Sequence, residues 1–251
     1  MSVTRIRPNI DHWTERRDLA AAFRWTERLN MHEAVANHFS LAVSDDGKRF
    51  LMNPNQVHFR RITASGLLLL DADDPETMTQ PEAPDPTAWH LHGTIHRLCP
   101  QHRCAMHVHS IFATVLASLE DPRLPAIDQN TAMFHGRTAV DRGFGGLAFE
   151  EEAQRCAEHL SDPKVKVLIM GNHGIMVVGE TVAETFNRLY YFERAAETYI
   201  RALQTGRPLA YLSDEVAAKT ADEIEDYPGQ AERHLSEIRA ILDDEGSTYA
   251  T

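Results

Sequence analysis

The sequence predicts a single α/β domain on three observations. Stretches of helical period alternate with stretches of strand period along the chain, no break in composition divides its 251 residues, and 43% of them are apolar, enough for one large core. The domain is expected to span residues 1–251, with 213–251 an acidic, helical C-terminal tail.

From Asp11 to Asn30, the residues Leu19, Ala22, Phe23 and Leu29 recur at helical spacing among charges, which predicts an amphipathic helix lying on a sheet. The period then changes. Phe39, Leu41 and Val43 alternate with Ser40, Ala42 and Ser44, and the turn Asp45-Asp46-Gly47-Lys48 leads into Arg49 to Met52, so a hairpin is expected. Ile62 to Leu70 is apolar with an internal glycine, and Asp71 to Pro86 reads as a surface loop. Thr87 to Leu98 is helical and stops before Cys99-Pro100, because a residue preceding proline avoids the α region. Cys104 to His109 is a short strand, and Ser110 is placed to cap a helix running to Leu119. Proline and glycine punctuate Glu120 to Gly146, which is expected to be irregular. A helix over Glu150 to Leu160, a buried strand over Val165 to Met170, a tight turn at Gly171-Asn172-His173-Gly174 and a strand over Ile175 to Val178 follow. Thr181 and Glu184 form a capping-box pattern opening a long helix to Gln204.

The formal charge of -12 disfavours nucleic acid and anionic membrane, both of which need clustered Lys and Arg to displace counterions. A small-molecule partner is expected instead. The three cysteines, Cys99, Cys104 and Cys156, show no C-x-x-C spacing and read as buried thiols of a reducing compartment. No stretch is apolar enough for a membrane span, and Met1 to Asp11 lacks the apolar core of a signal peptide, so a cytoplasmic location is expected.

Histidine is the unusual count: there are 14, and seven of them fall between His90 and His135. In a strand, side chains at i and i+2 point the same way, so His107 and His109 can lean toward one ion while Val108 packs on the opposite face. His173 sits in a glycine-flanked turn directly after a strand, where Gly171 and Gly174 give the backbone freedom to aim an imidazole sideways. Three neutral imidazoles leave a coordination position open, as a catalytic metal site requires.

The segments "CAMHVHS" (Cys104 to Ser110), "VLIMGNHGIMVVGET" (Val167 to Thr181) and "NHFSLAV" (Asn37 to Val43), in this order, resemble the class II aldolase/adducin family over roughly Leu19 to Gln204. The resemblance implies a three-layer α/β/α sandwich around a largely antiparallel sheet. It implies one divalent metal ion on His107, His109 and His173, with zinc expected first and iron(II) or manganese(II) as alternatives. It further implies a homotetramer with the metal near a subunit interface, and apolar surface on more than one side of the Thr181 to Gln204 helix agrees with that.

Two departures narrow the function. Family aldolases carry a catalytic glutamate in a P-S-S-E pattern before the metal-binding strand, where this chain reads Pro86-Thr87-Ala88-Trp89. Ala88 cannot move a proton, and Glu82 and Asp85 read as solvated loop charges. The family's small phosphate-cradling donors correspond here to Ala36-Asn37, Asn53-Pro54-Asn55-Gln56 and Thr87-Ala88, so only Asn37 survives. The expected activity is therefore that of a metal-dependent lyase, of aldolase or decarboxylase type, on a small unphosphorylated oxo- or hydroxy-acid. Asn37, Asn53 and Gln129 are candidate substrate contacts. His135 is the candidate for proton transfer, with Asp128 orienting it, in a loop that related proteins bring toward a neighbouring subunit's metal. His92 is either a partner of the metal site or a helix-packing residue, His96 reads as a surface histidine, and Tyr190, Tyr191 and Glu193 read as core or interface. Two other readings stay open: a non-heme iron(II) oxygenase on the same three histidines, and a non-catalytic adducin-like interaction module.

Overall fold

The computed structural model describes residues 10–74, 76–81, 83–146 and 150–251. Met1 to Asn9, for which the lack of a signal core was noted, and Glu82 lie outside the described residues.

The strands are β1 (His38–Ala42), β2 (Arg49–Met52), β3 (Leu68–Asp71), β4 (Cys104–Val108), β5 (Thr138–Asp141), β6 (Val167–Met170) and β7 (Gly174–Gly179). They form one seven-stranded sheet in the order β3-β2-β1-β4-β7-β6-β5. Every neighbouring pair is antiparallel except β5 with β6. The expected hairpin is present, with Leu41 opposite Leu51. β5 was expected to be irregular. Thr138–Asp141 is an edge strand with three half-buried residues, so it lacks the apolar alternation that marks a strand with one covered face.

The α-helices are α1 (Trp13–Arg28), α2 (Pro86–Leu98), α3 (Ile111–Ala117), α4 (Gln129–Ala132), α5 (Glu150–His159), α6 (Val182–Gln204), α7 (Asp214–Glu225) and α8 (Gln230–Asp244). α2 and α5 pack together on one face of the sheet, while α1, α3, α6 and α8 pack on the other. This is the α/β/α sandwich. Side-chain alternation assigns the faces: Phe39, Leu41, Met106, Val108, Val177 and Ile175 point into the larger core under α1 and α6. Ala105, Met176 and Val178 point toward α2 and α5, and so must His38, Ser40 and His107, which alternate with the first group. The acidic C-terminal segment is helical and packed: Leu235, Ile238 and Leu242 of α8 join the larger core, and Tyr249 is fully buried.

Local chemistry differs from expectation at three helix starts. Pro86 and Asp85 belong to α2 rather than to a loop: Pro86 occupies the first turn, and the Asp85 carboxylate accepts from the backbone N–H of Thr87 (2.9 Å) and Ala88 (3.1 Å). The hydroxyl of Ser110 does not cap α3. It donates to Glu193 on α6 (2.6 Å), and that carboxylate accepts from the N–H of Phe112 (2.9 Å) and Ala113 (3.0 Å), so a distant acid caps the helix. Thr181 caps α6 as expected (3.1 Å to Glu184 N), but the Glu184 carboxylate turns back to the N–H of Glu180 (3.1 Å) instead of that of Thr181.

Candidate metal centre

β4 delivers His107 at its end and His109 just beyond it, and the turn between β6 and β7 delivers His173. The three rings stand at the corners of a triangle, each centroid 4.8 Å from the other two. One ligand atom from each lies within 4.8 Å of the others, with Nε2 of His107 and His109 2.9 Å apart.

Backbone geometry makes this convergence possible. Asn172, at φ 59°, supplies the left-handed residue of the turn, so neither Gly171 nor Gly174 is required for its torsions. Gly174 is required for space: a Cβ there would lie 2.5 Å from the Val108 carbonyl oxygen and 2.8 Å from Cδ2 of His109. Gly174→Ala is accordingly expected to push His109 away from the other two rings and to cost about 1–3 kcal/mol of stability, as overpacking typically does. Urea unfolding measures it, and an unchanged midpoint would refute the close-approach argument.

The second nitrogen is hydrogen-bonded in two of the rings and faces a carboxylate in the third. Nδ1–H of His107 donates to the Ile175 carbonyl (3.0 Å). Nδ1 of His109 meets the Glu33 carboxylate. Nδ1 of His173 lies 3.4 Å from Oε1 of buried Glu152 on α5, without the alignment of a hydrogen bond. Nε2 of His107 and of His109 are thus left for a common ligand, with a ring nitrogen of His173 within 4.8 Å of them, and engaging the opposite nitrogen fixes tautomer and ring orientation in metal sites. Burial pushes the pKa of His107 well below the ordinary histidine range, and burial lowers that of His109 against the opposing pull of Glu33. Neutral imidazoles are what a cation needs, so the donor set fits a divalent ion. Phe144 stands half exposed beside it, its ring 5.5 Å from that of His173.

Of the candidate substrate contacts, Asn37 is at the site. Its Oδ1 accepts from the N–H of Glu33 (2.7 Å) and of His109 (3.4 Å), while its Nδ2, on a residue 2% exposed, has no hydrogen-bond partner among the described residues. Asn53 is one strand over and occupied: Oδ1 accepts from Phe39 N (3.1 Å) and Nδ2 reaches the carbonyls of Asn37 and Pro54 (3.4 Å each). Gln129 begins α4 and His135 follows it, and α4 packs on α6 and α7, across the sheet from His107. Within one chain the structure therefore does not bring Gln129 or His135 to the triad. Asp128 is committed to capping α4 through the Thr131 N–H (2.8 Å). Ala88 is buried in an apolar cluster with Ala42, Phe50, Met52 and Leu70.

Glu33, Glu152 and His38 were missed by sequence reasoning. Glu33 and Glu152 are distant in sequence from the histidines they meet, and only the strand order brings them near. His38 lies beside Asn37 and pairs in register with His107, their rings 4.8 Å apart and nearly parallel. Behind it, His92 and His96 are buried and hydrogen-bonded, so His96 is not the surface residue expected, and His92 is a partner of the site's neighbour His38.

Residues 17–200 match the family model described as class II aldolase and adducin N-terminal domain. The chain belongs to this family. It is 27% identical over 213 residues to a class 2 aldolase candidate of Pseudomonas aeruginosa, covering 84% of this chain and 80% of that one. It is 28% identical over 187 residues to alpha-adducin of Rattus norvegicus, covering 74% of this chain and 25% of the adducin. Among solved structures, an aldolase II superfamily protein from Pseudomonas syringae superposes with a TM-score of 0.84 at 28% identity, covering 98% of each chain. The L-fuculose 1-phosphate aldolase of Glaciozyma antarctica shares the fold, with a TM-score of 0.78 at 21% identity over 95% of this chain and 96% of that one. No helix among the described residues is long and apolar enough to cross a membrane.

Proposed function

We propose that the protein is a metal-dependent carbon–carbon lyase acting on a small unphosphorylated oxo- or hydroxy-acid, with one divalent ion, zinc first, held by His107, His109 and His173. The observation that carries this reading is the convergence of one ring nitrogen from each of His107, His109 and His173, with Nδ1 of the first two engaged and that of the third facing a carboxylate, beside the buried Nδ2 of Asn37, which has no hydrogen-bond partner among the described residues. A divalent ion held there supplies an electron sink for a developing enolate. Asn37 offers its amide N–H to an oxygen of the substrate, and the Phe144 ring and buried Glu152 limit water around His173.

Two features argue against a phosphate. The Asp85 carboxylate takes the N–H groups at the start of α2, where family aldolases offer donors to the substrate phosphate, and places a negative charge there. The amide of Asn53 is spent on backbone. Ala88, locked in an apolar cluster, favours decarboxylation over aldol cleavage. In a β-oxo acid the bond to the carboxylate breaks, its electron pair stays on the α carbon as enolate, carbon dioxide leaves, and a proton from solvent or an acid completes the product. No base is needed to start it. His135 can supply that proton only across an interface between subunits, which the homotetramer we also propose would provide.

The test is a screen of zinc-, manganese- and iron(II)-loaded protein against β-oxo and hydroxy acids, with L-fuculose 1-phosphate as the comparison. Turnover of an acid with no measurable cleavage of the sugar phosphate is expected, and His135→Gln should slow it by about a hundredfold. Robust sugar-phosphate cleavage overturns the substrate assignment, an unchanged His135→Gln rate removes that residue's role, and oxygen consumption favours the iron oxygenase. Absence of both ion and turnover favours an interaction module of the adducin kind.

A further inference from the structure

A continuous line of hydrogen bonds runs beneath the triad from β1 into α2. Nδ1 of His96 lies 3.3 Å from the carbonyl oxygen of His102, Nε2 of His96 lies 2.7 Å from Oγ of Ser40, Oγ of Ser40 lies 2.5 Å from Nδ1 of His92, and Nε2 of His92 lies 2.7 Å from Nδ1 of His38. All four side chains are buried, His92 and Ser40 completely. Burial disfavours charge on each imidazole, and a neutral imidazole carries one proton.

Those two conditions leave one arrangement of protons. A carbonyl can only accept, so His96 carries its proton on Nδ1 and its Nε2 is bare. Ser40 must then donate to His96, which leaves Oγ of Ser40 as the acceptor for Nδ1–H of His92. Nε2 of His92 is bare in turn and accepts from Nδ1–H of His38. The chain ends at Nε2 of His38 as a lone pair. His38 opens β1 at the end of the sheet where β4 finishes, opposite His107, and its ring stacks on that of His107 at 25°. With Nδ1 committed to α2, Nε2 is turned to the far side of the ring, away from the helix. Among the described residues it receives no hydrogen bond.

We infer that this buried chain holds His38 in a single tautomer whose bare Nε2 faces the triad pocket, where it selects ligands that carry a hydroxyl group beside the oxygen bound at the ion. Ser40, His92 and His96 are positioning residues, and His38 is a specificity-determining contact. The inference rests on the reading of the triad as a metal site for small acids. It adds a neutral acceptor to the donor that Asn37 offers, so the pocket distinguishes a hydroxy acid or enol from its ether or unsubstituted counterpart.

The test has two parts. In metal-free protein, long-range proton–nitrogen correlation spectra of the imidazoles are expected to show His38, His92 and His96 each protonated at Nδ1. Ser40→Ala should convert His92 and His38 to mixtures, and Ser40→Thr, which restores the hydroxyl, should not. In zinc-loaded protein, calorimetric titration should show glycolate binding about threefold to tenfold more tightly than methoxyacetate, the range of one net hydrogen bond. Ser40→Ala should erase that preference with zinc content unchanged. A wild-type His38 protonated at Nε2, or as a mixture, overturns the inference, as does a glycolate preference that survives in Ser40→Ala. Failure to load zinc overturns the metal reading alone, because the tautomer in the metal-free protein is decided separately.

Discussion

His107→Ala should lower the metal content of the protein from about one ion per chain to nearly none, and His109→Ala and His173→Ala should do the same. The effect is large because three imidazole nitrogens are the whole donor set identified among the described residues, and two imidazoles hold a divalent ion far more weakly than three. The fold should survive each change, since the triad sits at strand ends whose inner faces are packed independently, Met106 and Val108 on one side and Ala105 and Met176 on the other. Glu33→Gln and Glu152→Gln provide the contrast. Each removes a carboxylate beside a ligand ring while leaving three nitrogens, so affinity should drop about tenfold to a hundredfold without loss of the site. Elemental analysis gives the stoichiometry, competition with a chelator gives the affinity, and circular dichroism checks the fold. Near-stoichiometric metal in any of the three alanine variants would refute the assignment of that histidine.

The fold was legible where side-chain period reports a covered face. β1, β2, β4 and β7 alternate or run apolar because the sheet is covered on both sides there, and each was expected within a residue or two. β5 was not, because Thr138–Asp141 pairs on one edge only and its half-buried side chains leave no periodic signature. The triad was legible for a different reason: H-x-H in a strand is a local geometric statement, and His173 is placed by a turn with its own sequence signal. Glu33, Glu152 and His38 are tied to the site by strand order and helix packing, which no local pattern records. The Ser110 cap failed for a related reason. A serine before a helix satisfies the local rule, yet Glu193 on α6, a stronger acceptor, reaches the same N–H groups.

Acid should unfold the metal-free protein steeply at pH values where most domains are still stable. Burial pushes the pKa of His38 down to about 3 and those of His96 and His102 to about 4, against 6.5 for a free side chain. The sign follows from which state binds more protons. Below pH 6.5 the unfolded chain takes up a proton on each of these histidines while the folded protein keeps them neutral, so stability is greatest above that value and falls as the pH drops toward about 4. Each such group costs about 1.4 kcal/mol per pH unit within that window, and the three together remove on the order of 5 kcal/mol between pH 7 and pH 5. That equals the entire stability of many domains. His92 and His107 shift in the same direction from the same cause and steepen the loss. Urea unfolding of chelator-treated protein at half-unit steps from pH 7.5 to 5 measures the slope, which should correspond to the uptake of about three protons or more. Saturating zinc should hold the neutral rings in place and delay the transition to lower pH, since an ion that binds only the folded state adds its binding free energy to stability. A slope of less than one proton over that range would mean that the buried histidines of β1 and α2 are charged in the folded protein.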